Sequence, residues 1–266
     1  MNIGVFDSGF GGLTVFRALL DRLPSANYTY LGDTARLPYG AKSQATVARY
    51  AVSSARFLVD QGAEYLVIAC NTASALALDA IRESVSVPVL GVIETGANAA
   101  KASTKTSDVL VIATTATVES HAYSAACRER GLRAYEKACP LLVPLVEEGW
   151  IDHPVTEEIL RIYLAELLEE SHQAGLNPDT LVLGCTHYPL LRTNIERKLP
   201  ATIKVIDSAE ATAAQVANTL ASTTPASQQV PQRRFYATDS VNKFRHLGTR
   251  FLGQPIEDVQ LIDLGG

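Results

Sequence analysis

Positive charge is scarce in this sequence of 266 residues. Lysine and arginine number 23 against 28 aspartates and glutamates, which gives a formal net charge of −5 at neutral pH. Proteins that bind nucleic acid as their main partner carry a basic stripe or patch. The dipeptide Arg233-Arg234 is too short to form one. We therefore expect no nucleic-acid partner.

Long apolar runs and targeting segments are also missing. No run approaches the roughly 18–20 apolar residues that a membrane-spanning helix needs. Residues 1–7 lack the basic region with which a secretory signal begins. We therefore expect no membrane contact and a cytoplasmic location. That compartment is reducing, so we expect the cysteines to be free thiols. There are four of them: Cys70, Cys127, Cys139 and Cys185.

Several cofactor and metal motifs are absent as well. The segment Gly9-Phe10-Gly11-Gly12 is followed by Thr14 where a dinucleotide-binding loop has its third glycine. No phosphate-binding Walker loop occurs, and the cysteines do not pair at the C-x-x-C spacing of zinc ribbons. A pyridoxal enzyme needs a Schiff-base lysine, and no lysine occupies a predicted strand-end loop. The sequence therefore favours an enzyme or binding protein without cofactor or metal.

What the sequence does contain is a regular alternation of short apolar strands with amphipathic helices. We predict strands at 3–6, 28–31, 65–69, 87–92, 108–113, 132–138, 180–184, 234–237 and 259–262, and helices at 13–23, 46–61, 73–83, 118–130, 157–174 and 241–252. Such alternation is typical of the α/β class, in which helices cover both faces of mainly parallel sheets.

Two internal correspondences predict two pseudo-symmetric doubly wound lobes. The segment 66–71 resembles the segment 181–186, so Cys70 and Cys185 correspond at a separation of 115 residues. Asp7-Ser8 corresponds to Thr114-Thr115 in the same way, 107 residues later. We predict that 1–96 plus 209–266 form a discontinuous first lobe, that 97–208 form the second, and that the active site lies in the cleft between them. A polar linker or loop is predicted at 221–231.

Three predicted loops follow strands at the place where ligands of α/β sheets bind. They are Asp7-Ser8, Cys70-Asn71-Thr72 and Cys185-Thr186-His187. Ligands bind beyond the carboxyl ends of the strands of an open sheet. Each loop leads into a predicted helix, whose first N–H groups and dipole favour a carboxylate. The hydroxyl groups of the two threonines add further donors.

The four cysteines call for two different interpretations. A cysteine in an apolar strand is most often a small buried hydrophobe, and we interpret Cys127 and Cys139 in this way. Cys70 and Cys185 instead stand at the end of a strand, before a predicted helix N-terminus. That environment lowers the pKa of a thiol. We therefore predict that these two thiols are reactive.

Asp7 and His187 each allow a structural and a functional interpretation. Asp7 is either a turn aspartate beside Gly9 or a carboxylate that orients or deprotonates a neighbour. His187 lies two residues after Cys185. It is either a structural histidine or a proton relay for that thiol. The residues alone leave both pairs of alternatives open.

Four sequence blocks, in order, resemble the glutamate racemases of the aspartate/glutamate racemase superfamily. They are Asp7-Ser8-Gly9-Phe10-Gly11-Gly12, Pro38-Tyr39-Gly40, Cys70-Asn71-Thr72 and Gly184-Cys185-Thr186-His187-Tyr188-Pro189. The segments at 138–140 and 145–149 also fit, and the resemblance covers residues 1 to about 210. One block would be weak support, whereas four in order with both cysteines are highly specific.

The resemblance implies a reaction and a mechanism. Members of the family interconvert L-glutamate and D-glutamate without pyridoxal phosphate or metal, and D-glutamate then enters peptidoglycan for cell wall biogenesis. The substrate lies between two α/β lobes, and members are commonly homodimers. Cys70 and Cys185 would face opposite sides of Cα. One thiolate would remove the proton, and the other thiol would return it on the opposite face.

The resemblance also implies roles for single residues. Asp7 would assist Cys70, and His187 would assist Cys185, with Glu147 near His187. Contacts with glutamate, through side chains or backbone, would come from Asp7, Ser8, Tyr39, Gly40, Asn71, Thr72, Thr186 and His187.

Three alternatives remain open at this stage. A related cysteine-dependent racemase or decarboxylase could act on aspartate or another substrate, because substrate length depends on the shape of the pocket. A non-catalytic binding protein for an acidic amino acid would need no reactive thiols. Some racemases of this family also bind DNA gyrase, and nothing in this sequence supports or excludes such binding.

Overall fold

Ten strands form two separate sheets in the computed structural model, which describes residues 1–221 and 230–265. The strands are β1 Asn2–Asp7, β2 Asn27–Gly32, β3 Tyr65–Ile68, β4 Val89–Gly91, β5 Asp108–Ala113, β6 Arg133–Ala138, β7 Thr180–Gly184, β8 Lys204–Asp207, β9 Arg233–Ala237 and β10 Val259–Leu261. Most of the linker predicted at 221–231 lies outside the described residues.

Helices connect these strands. They are α1 Leu13–Arg22, α2 Gln44–Asp60, α3 Asn71–Leu76, α4 Leu78–Ser84, α5 Val92–Ser103, α6 Thr115–Glu119, α7 Ala122–Glu129, α8 Leu142–Glu147, α9 Pro154–Gln173, α10 Arg192–Lys198, α11 Ser208–Leu220 and α12 Val241–Leu252, with short 3-10 helices at Tyr39–Ala41 and Tyr188–Leu191.

The two sheets share one strand order. The first sheet has the order β10-β9-β2-β1-β3-β4, and the second has the order β6-β5-β7-β8. Each strand pair in the described residues is parallel. The series β2-β1-β3-β4 therefore repeats as β6-β5-β7-β8, while β9 and β10 extend the first sheet beyond β2. This repetition confirms the predicted α/β fold with two pseudo-symmetric lobes.

Burial explains why the central strands are apolar along their whole length. Every residue of β3, β5 and β7 is buried, because helices cover both faces of a parallel sheet and no face alternates with solvent. The strand β6 differs, since its residues are exposed or half-buried. It lies at the edge of the second sheet and carries Arg133, Glu136 and Lys137, charged residues of the kind that protect sheet edges.

The chain passes between the two sheets twice. It leaves the first sheet after β4 through α5 and returns after β8 through α11. These two helices pack on each other, and a buried hydrogen bond of 2.7 Å joins the hydroxyl groups of Thr95 and Thr212. The predicted lobe boundaries, 96/97 and 208/209, fall within α5 and at the start of α11. They stay a prediction.

Two predicted helices were wrong as continuous elements. The helix predicted at 73–83 is divided into α3 and α4 at Ala77, where φ is −132° and ψ is −1°. The helix predicted at 118–130 is divided into α6 and α7, and His121 between them has a left-handed backbone with φ of 54°. Neither break contains glycine or proline, so the local sequence carried no signal for it. In both lobes the short first helix begins next to the strand end and directs its first residues towards the cleft.

Candidate active site

A cavity of about 380 Å³ lies where the carboxyl ends of the two sheets meet. We call it the interlobe cavity. Every residue predicted for the site lines it except Asp7, which is buried behind Ser8. The predicted residues that line it are Ser8, Tyr39, Gly40, Cys70, Asn71, Thr72, Glu147, Cys185, Thr186 and His187.

Cys70 is held at the point where the first sheet meets α3. Its Sγ accepts a hydrogen bond of 3.4 Å from the backbone N–H of Ala73 and lies 3.5 Å from Oγ of Ser8, to which the thiol donates. Asp7 ends the neighbouring strand β1, and its Oδ2 accepts a hydrogen bond of 2.8 Å from the N–H of Gly9. The aspartate therefore stabilises the turn at Gly9 and also places a carboxylate next to the Cys70 thiol.

The pKa of Cys70 differs from the sequence-based expectation. Burial, together with the nearby charge of Asp7, raises the pKa of Cys70 to about 12, although hydrogen bonds that Ser8 and Ala73 donate to the thiolate form oppose the shift. The prediction that a helix N-terminus would lower this pKa was therefore wrong. The loss of water around the thiolate outweighs the effect of a helix of six residues. Burial likewise raises the pKa of Asp7, against the charge of His187.

Cys185 begins a chain of three side chains on the second sheet. Its Sγ lies 3.9 Å from Nδ1 of His187, and Nε2 of His187 lies 3.3 Å from Oε1 of Glu147. We call these three residues the Cys185 relay. Glu147 ends α8, whereas Cys185 and His187 follow β7 directly. A proton can pass along such a chain because each member is next to a donor or an acceptor.

Charge within the Cys185 relay favours the protonated imidazole. Burial would lower the pKa of His187, but hydrogen bonds with Cys185 and Glu147, and the charges of both, raise it to about 10. Burial would raise the pKa of Glu147, but His187 and Lys243 outweigh burial and lower it. His187 and Glu147 therefore form an ion pair at neutral pH.

Two glycines let the loops of the two lobes approach each other closely. A Cβ atom on Gly11 would lie 2.2 Å from Oγ1 of Thr186 and 2.6 Å from Nδ1 of His187. A Cβ atom on Gly40 would lie 2.8 Å from Cβ of Thr114. A side chain at either position would force the neighbouring residues of the other lobe to shift.

The sequence analysis missed a group of threonines in this cavity. Thr114 and Thr115 line it. The hydroxyl group of Thr114 lies 3.0 Å from that of Thr72 and 2.9 Å from that of Thr117. The correspondence between Asp7-Ser8 and Thr114-Thr115 was a usable signal, because it placed these threonines at a strand end. Other lining residues without a sequence signal for function are Leu37, Ala41, Val143 and Pro144.

Asn71 and Tyr39 present different groups to the interlobe cavity. Oδ1 of Asn71 accepts a hydrogen bond of 2.7 Å from the hydroxyl group of Tyr123. Its Nδ2 is buried and has no hydrogen-bond partner among the described residues. The hydroxyl group of Tyr39 donates to the buried carboxylate of Asp33. Asn71 therefore offers an unpaired amide donor, whereas Tyr39 uses its hydroxyl group within the protein.

The described residues contain neither a cluster of side chains that could hold a metal ion nor a helix that could span a membrane. Across 1–221 and 230–265, His, Cys, Asp and Glu side chains form no group of three or more that could hold a metal ion. In the same part of the chain, none of the helices has the length and apolar character to cross a membrane.

The chain belongs to the Asp/Glu/Hydantoin racemase family, whose model matches residues 11–216. This confirms the resemblance found in the four sequence blocks.

Within that family the chain is similar to proteins named glutamate racemase. One from Koribacter versatilis is 51% identical over an alignment of 287 positions, and the match covers 99% of this chain and 98% of that protein. The crystal structure of glutamate racemase from Francisella tularensis in complex with D-glutamate is 36% identical with a TM-score of 0.90, and the match covers 99% of this chain and 97% of that one. The Thermus thermophilus enzyme in complex with beta-chloro-D-alanine is 44% identical with a TM-score of 0.85, at the same coverage.

Proposed function

We propose that this chain is a glutamate racemase, an isomerase that moves the Cα proton with Cys70 and Cys185. One observation carries the proposal: each lobe contributes a strand-end cysteine to the same cavity. Inversion of a stereocentre through a planar carbanion needs an acid and a base on opposite faces of Cα. Two lobes that share a strand order can supply one thiol to each face.

Polar donors in the interlobe cavity support an acidic amino acid as the substrate. The unpaired Nδ2 of Asn71 and the hydroxyl groups of Thr72 and Thr114 can donate to carboxylate oxygens. Donors that are already in position can also stabilise the negative charge that develops when the Cα proton leaves. The Francisella tularensis relative binds D-glutamate. We propose glutamate rather than aspartate because the relatives of high identity are named glutamate racemase.

The two cysteines exchange the roles of acid and base between the two directions in this proposal. Cys70, with a pKa of about 12, is a thiol at neutral pH. In one direction the Cys185 thiolate takes the proton from Cα, and Cys70 gives its proton to the opposite face. The protonated His187 stabilises the Cys185 thiolate before this step, while Asp7 and Ser8 assist Cys70. In the other direction Cys70 first passes its proton to Asp7, and His187 passes its proton to Cys185, which gives it to the opposite face of Cα. The α-ammonium group of a bound amino acid favours the loss of the proton from Cys70 through its positive charge.

We extend the proposal to the setting of the reaction. The chain would work without pyridoxal phosphate or metal, and among the described residues that line the cavity none is a lysine that could form a Schiff base. From the family resemblance we propose that it supplies D-glutamate for peptidoglycan in the cytoplasm. We also propose that it forms a homodimer and has no nucleic-acid partner.

Incubation with L-glutamate in D₂O tests the proposed function. The reaction contains EDTA and no added cofactor. Circular dichroism follows optical activity, and NMR follows deuterium at Cα. We expect the dichroic signal to decay to zero while Cα acquires deuterium, because a two-base reaction exchanges the proton with solvent.

Other outcomes of that experiment would contradict the proposal. Exchange with aspartate or a hydantoin, but not with glutamate, would keep the two-thiol chemistry and change the substrate. Glutamate binding without exchange, unaffected by iodoacetamide, would indicate a non-catalytic binding protein.

A further inference from the structure

A side chain outside the predicted site contacts the Cys185 relay from the other lobe. Nζ of Lys243 lies 3.4 Å from Oε2 of Glu147, whose Oε1 faces Nε2 of His187 at 3.3 Å. Each oxygen of this carboxylate therefore faces one nitrogen cation. Lys243 belongs to α12, which packs on α1 and β10 of the first lobe. Glu147 and His187 belong to connections of the second sheet, so this ion pair joins the two lobes.

The helix α12 contacts the same region at two further points. The ring of Phe251 packs edge-on against the imidazole of His187, with centroids 5.0 Å apart and an interplanar angle of 76°. The guanidinium group of Arg250 lies against Gly149, where an added Cβ atom would be 2.7 Å from Nη1. The helix therefore provides an apolar wall behind His187 and a positive charge beside Glu147.

The ammonium group of Lys243 has a defined position although the side chain is half exposed. Nζ lies 5.6 Å from the ring centroid of Phe10, on the face of that ring. Phe10 is buried and packs against Phe244, the next residue of α12, at 5.9 Å. Phe10 also precedes Gly11, where an added Cβ atom would lie 2.6 Å from Nδ1 of His187. The lysine, the glycine-rich loop and His187 are thus fixed relative to one another.

We propose that Lys243 is a positioning residue for racemisation. It holds Glu147 in the orientation in which this carboxylate fixes His187 for proton transfer at Cys185. This inference rests on the proposed racemase function. Without the ammonium group, Oε2 loses its partner, and the carboxylate can turn away from His187. Loss of the ammonium group should impair proton transfer at the Cys185 face of the substrate only. The residues around Cys70 on the other face are Ser8, Asp7 and Ala73, and Lys243 is not among them.

Replacement of the lysine by methionine tests the role of its charge. We expect Lys243→Met to lower kcat about tenfold and to leave KM within about twofold, since misplacement of a proton relay impairs the chemical step. Lys243→Arg keeps the cation and should restore at least half of the lost turnover. The matched control is Arg245→Met, which removes an exposed cation from the same helix and should keep wild-type kinetics.

Isotope effects separate positioning from a general loss of structure. With each enantiomer of Cα-deuterated glutamate, the primary isotope effect on kcat/KM is measured for wild type and Lys243→Met. We expect this effect to rise for the enantiomer that Cys185 deprotonates, because that step becomes more rate-limiting. It should fall for the other enantiomer, for which reprotonation by Cys185 then limits the rate. Equal changes for both enantiomers would overturn the inference.

A double-variant cycle identifies the partner of Lys243. In a Glu147→Gln background, Lys243→Met should cause less than a twofold further loss, because the ion pair is already gone. An undiminished tenfold loss in that background would overturn the inference, as would wild-type kinetics of Lys243→Met. Failure of the wild-type protein to racemise glutamate would instead refute the proposed function on which the inference rests.

Discussion

At the residue scale, the two sides of the interlobe cavity differ in charge. Cys70 is next to the buried carboxylate of Asp7, which helps to keep its pKa at about 12. Cys185 is next to His187, whose pKa is raised to about 10 and which therefore carries a positive charge at neutral pH. The two thiols have the same position in their lobes but different surroundings. We therefore expect the carboxylate of Asp7 to affect proton transfer at Cys70, and the cation of His187 to affect proton transfer at Cys185.

Serine at either strand-end cysteine should stop racemisation. Cys70→Ser and Cys185→Ser keep the size of the side chain but replace a thiol by a hydroxyl group that does not ionise near neutral pH. Each variant removes one acid or base that the proposed reaction needs. Turnover of L-glutamate and D-glutamate, followed by circular dichroism, measures the loss.

Cys127→Ser is the control for this pair. Cys127 is fully buried within α7, away from the interlobe cavity, so its variant should keep nearly wild-type turnover. More than a tenth of wild-type turnover in Cys70→Ser, a difference of only about 1.4 kcal/mol in barrier, would refute the two-thiol mechanism.

His187 should remain protonated throughout the neutral range. Its pKa is raised from 6.5 to about 10 in the folded protein, so imidazolium ring signals in NMR should persist from pH 6 to 8. A group whose pKa is raised on folding stabilises the fold fully below its unfolded pKa, and this contribution is lost as pH rises through the folded pKa. The contribution of His187 should therefore decline between about pH 6.5 and pH 10.

Glu147→Gln serves as the reference for that titration. Removing the carboxylate takes away one of the groups that raise the pKa of His187, so the titration midpoint should move to lower pH. A wild-type midpoint near pH 6.5 would show that Cys185 and Glu147 do not hold the proton on the ring.

The positions of the site residues could be predicted from the sequence, but their acidity could not. Cys70 and Cys185 were identifiable because each ends an apolar strand, and strand ends are visible in the sequence. The pKa of Cys70 depends on burial and on the charge of Asp7, which is 63 positions away in the chain. Lys243 gave no signal at all, since its contact with Glu147 arises only when α12 returns to the first lobe.

At the scale of elements, hydrogen bonds within the connections between strands hold neighbouring segments of the chain together. Asp179 stands immediately before β7 and accepts hydrogen bonds from the hydroxyl group of Thr104 and from the N–H groups of Lys105 (2.7 Å) and Thr106 (3.2 Å). One carboxylate thus ties the segment between α5 and β5 to the start of β7, the strand that leads to Cys185.

Asp179→Asn should destabilise the fold without touching the cavity. Burial would raise the pKa of Asp179, but its hydrogen bonds outweigh burial and lower it. We expect the free energy of unfolding in urea to fall by about 1 kcal/mol at pH 7, since an amide accepts these bonds less well and the site is partly exposed.

The pH dependence of this difference has a defined sign. A carboxyl group with a lowered folded pKa stabilises the fold above its unfolded pKa, near 4, and loses this effect as pH falls through the folded value. The wild type and Asp179→Asn should therefore converge in acid. An equal difference at pH 7 and pH 3 would mean that the charge of Asp179 is not involved.

Elements with a clear amphipathic period could be predicted well, whereas breaks and buried connections could not. The predicted helix 241–252 has the same bounds as α12. The helix α5 is rich in alanine and small residues and packs between α11, α7 and β7. Its polar residues Glu94, Asn98 and Lys101 do share one face, but Thr95 and Gly96 lower its helix propensity, and the sequence analysis did not find it. Tertiary contacts, rather than local propensity, determine such helices.

At the scale of the whole molecule, the interlobe cavity depends on both sheets. A ligand that contacts the strand ends of both lobes should reduce local unfolding of the loops in both lobes. At about 100 times its Kd, D-glutamate should add about 2.7 kcal/mol to the free energy of unfolding. Hydrogen exchange should slow at the loops that follow β3 and β7 alike. Protection confined to one of these loops would contradict a site shared by both lobes.

The return of the chain to the first sheet has a consequence for biosynthesis. A ribosome completes β5 to β8 as one uninterrupted stretch, so the second sheet can assemble while translation continues. The first sheet cannot be completed then, because β9 and β10 come from the final part of the described chain. Until they emerge, β2 presents an unpaired edge. The nascent protein therefore passes through a stage in which one sheet is complete, the other is open on one side, and α12 has not yet reached Glu147.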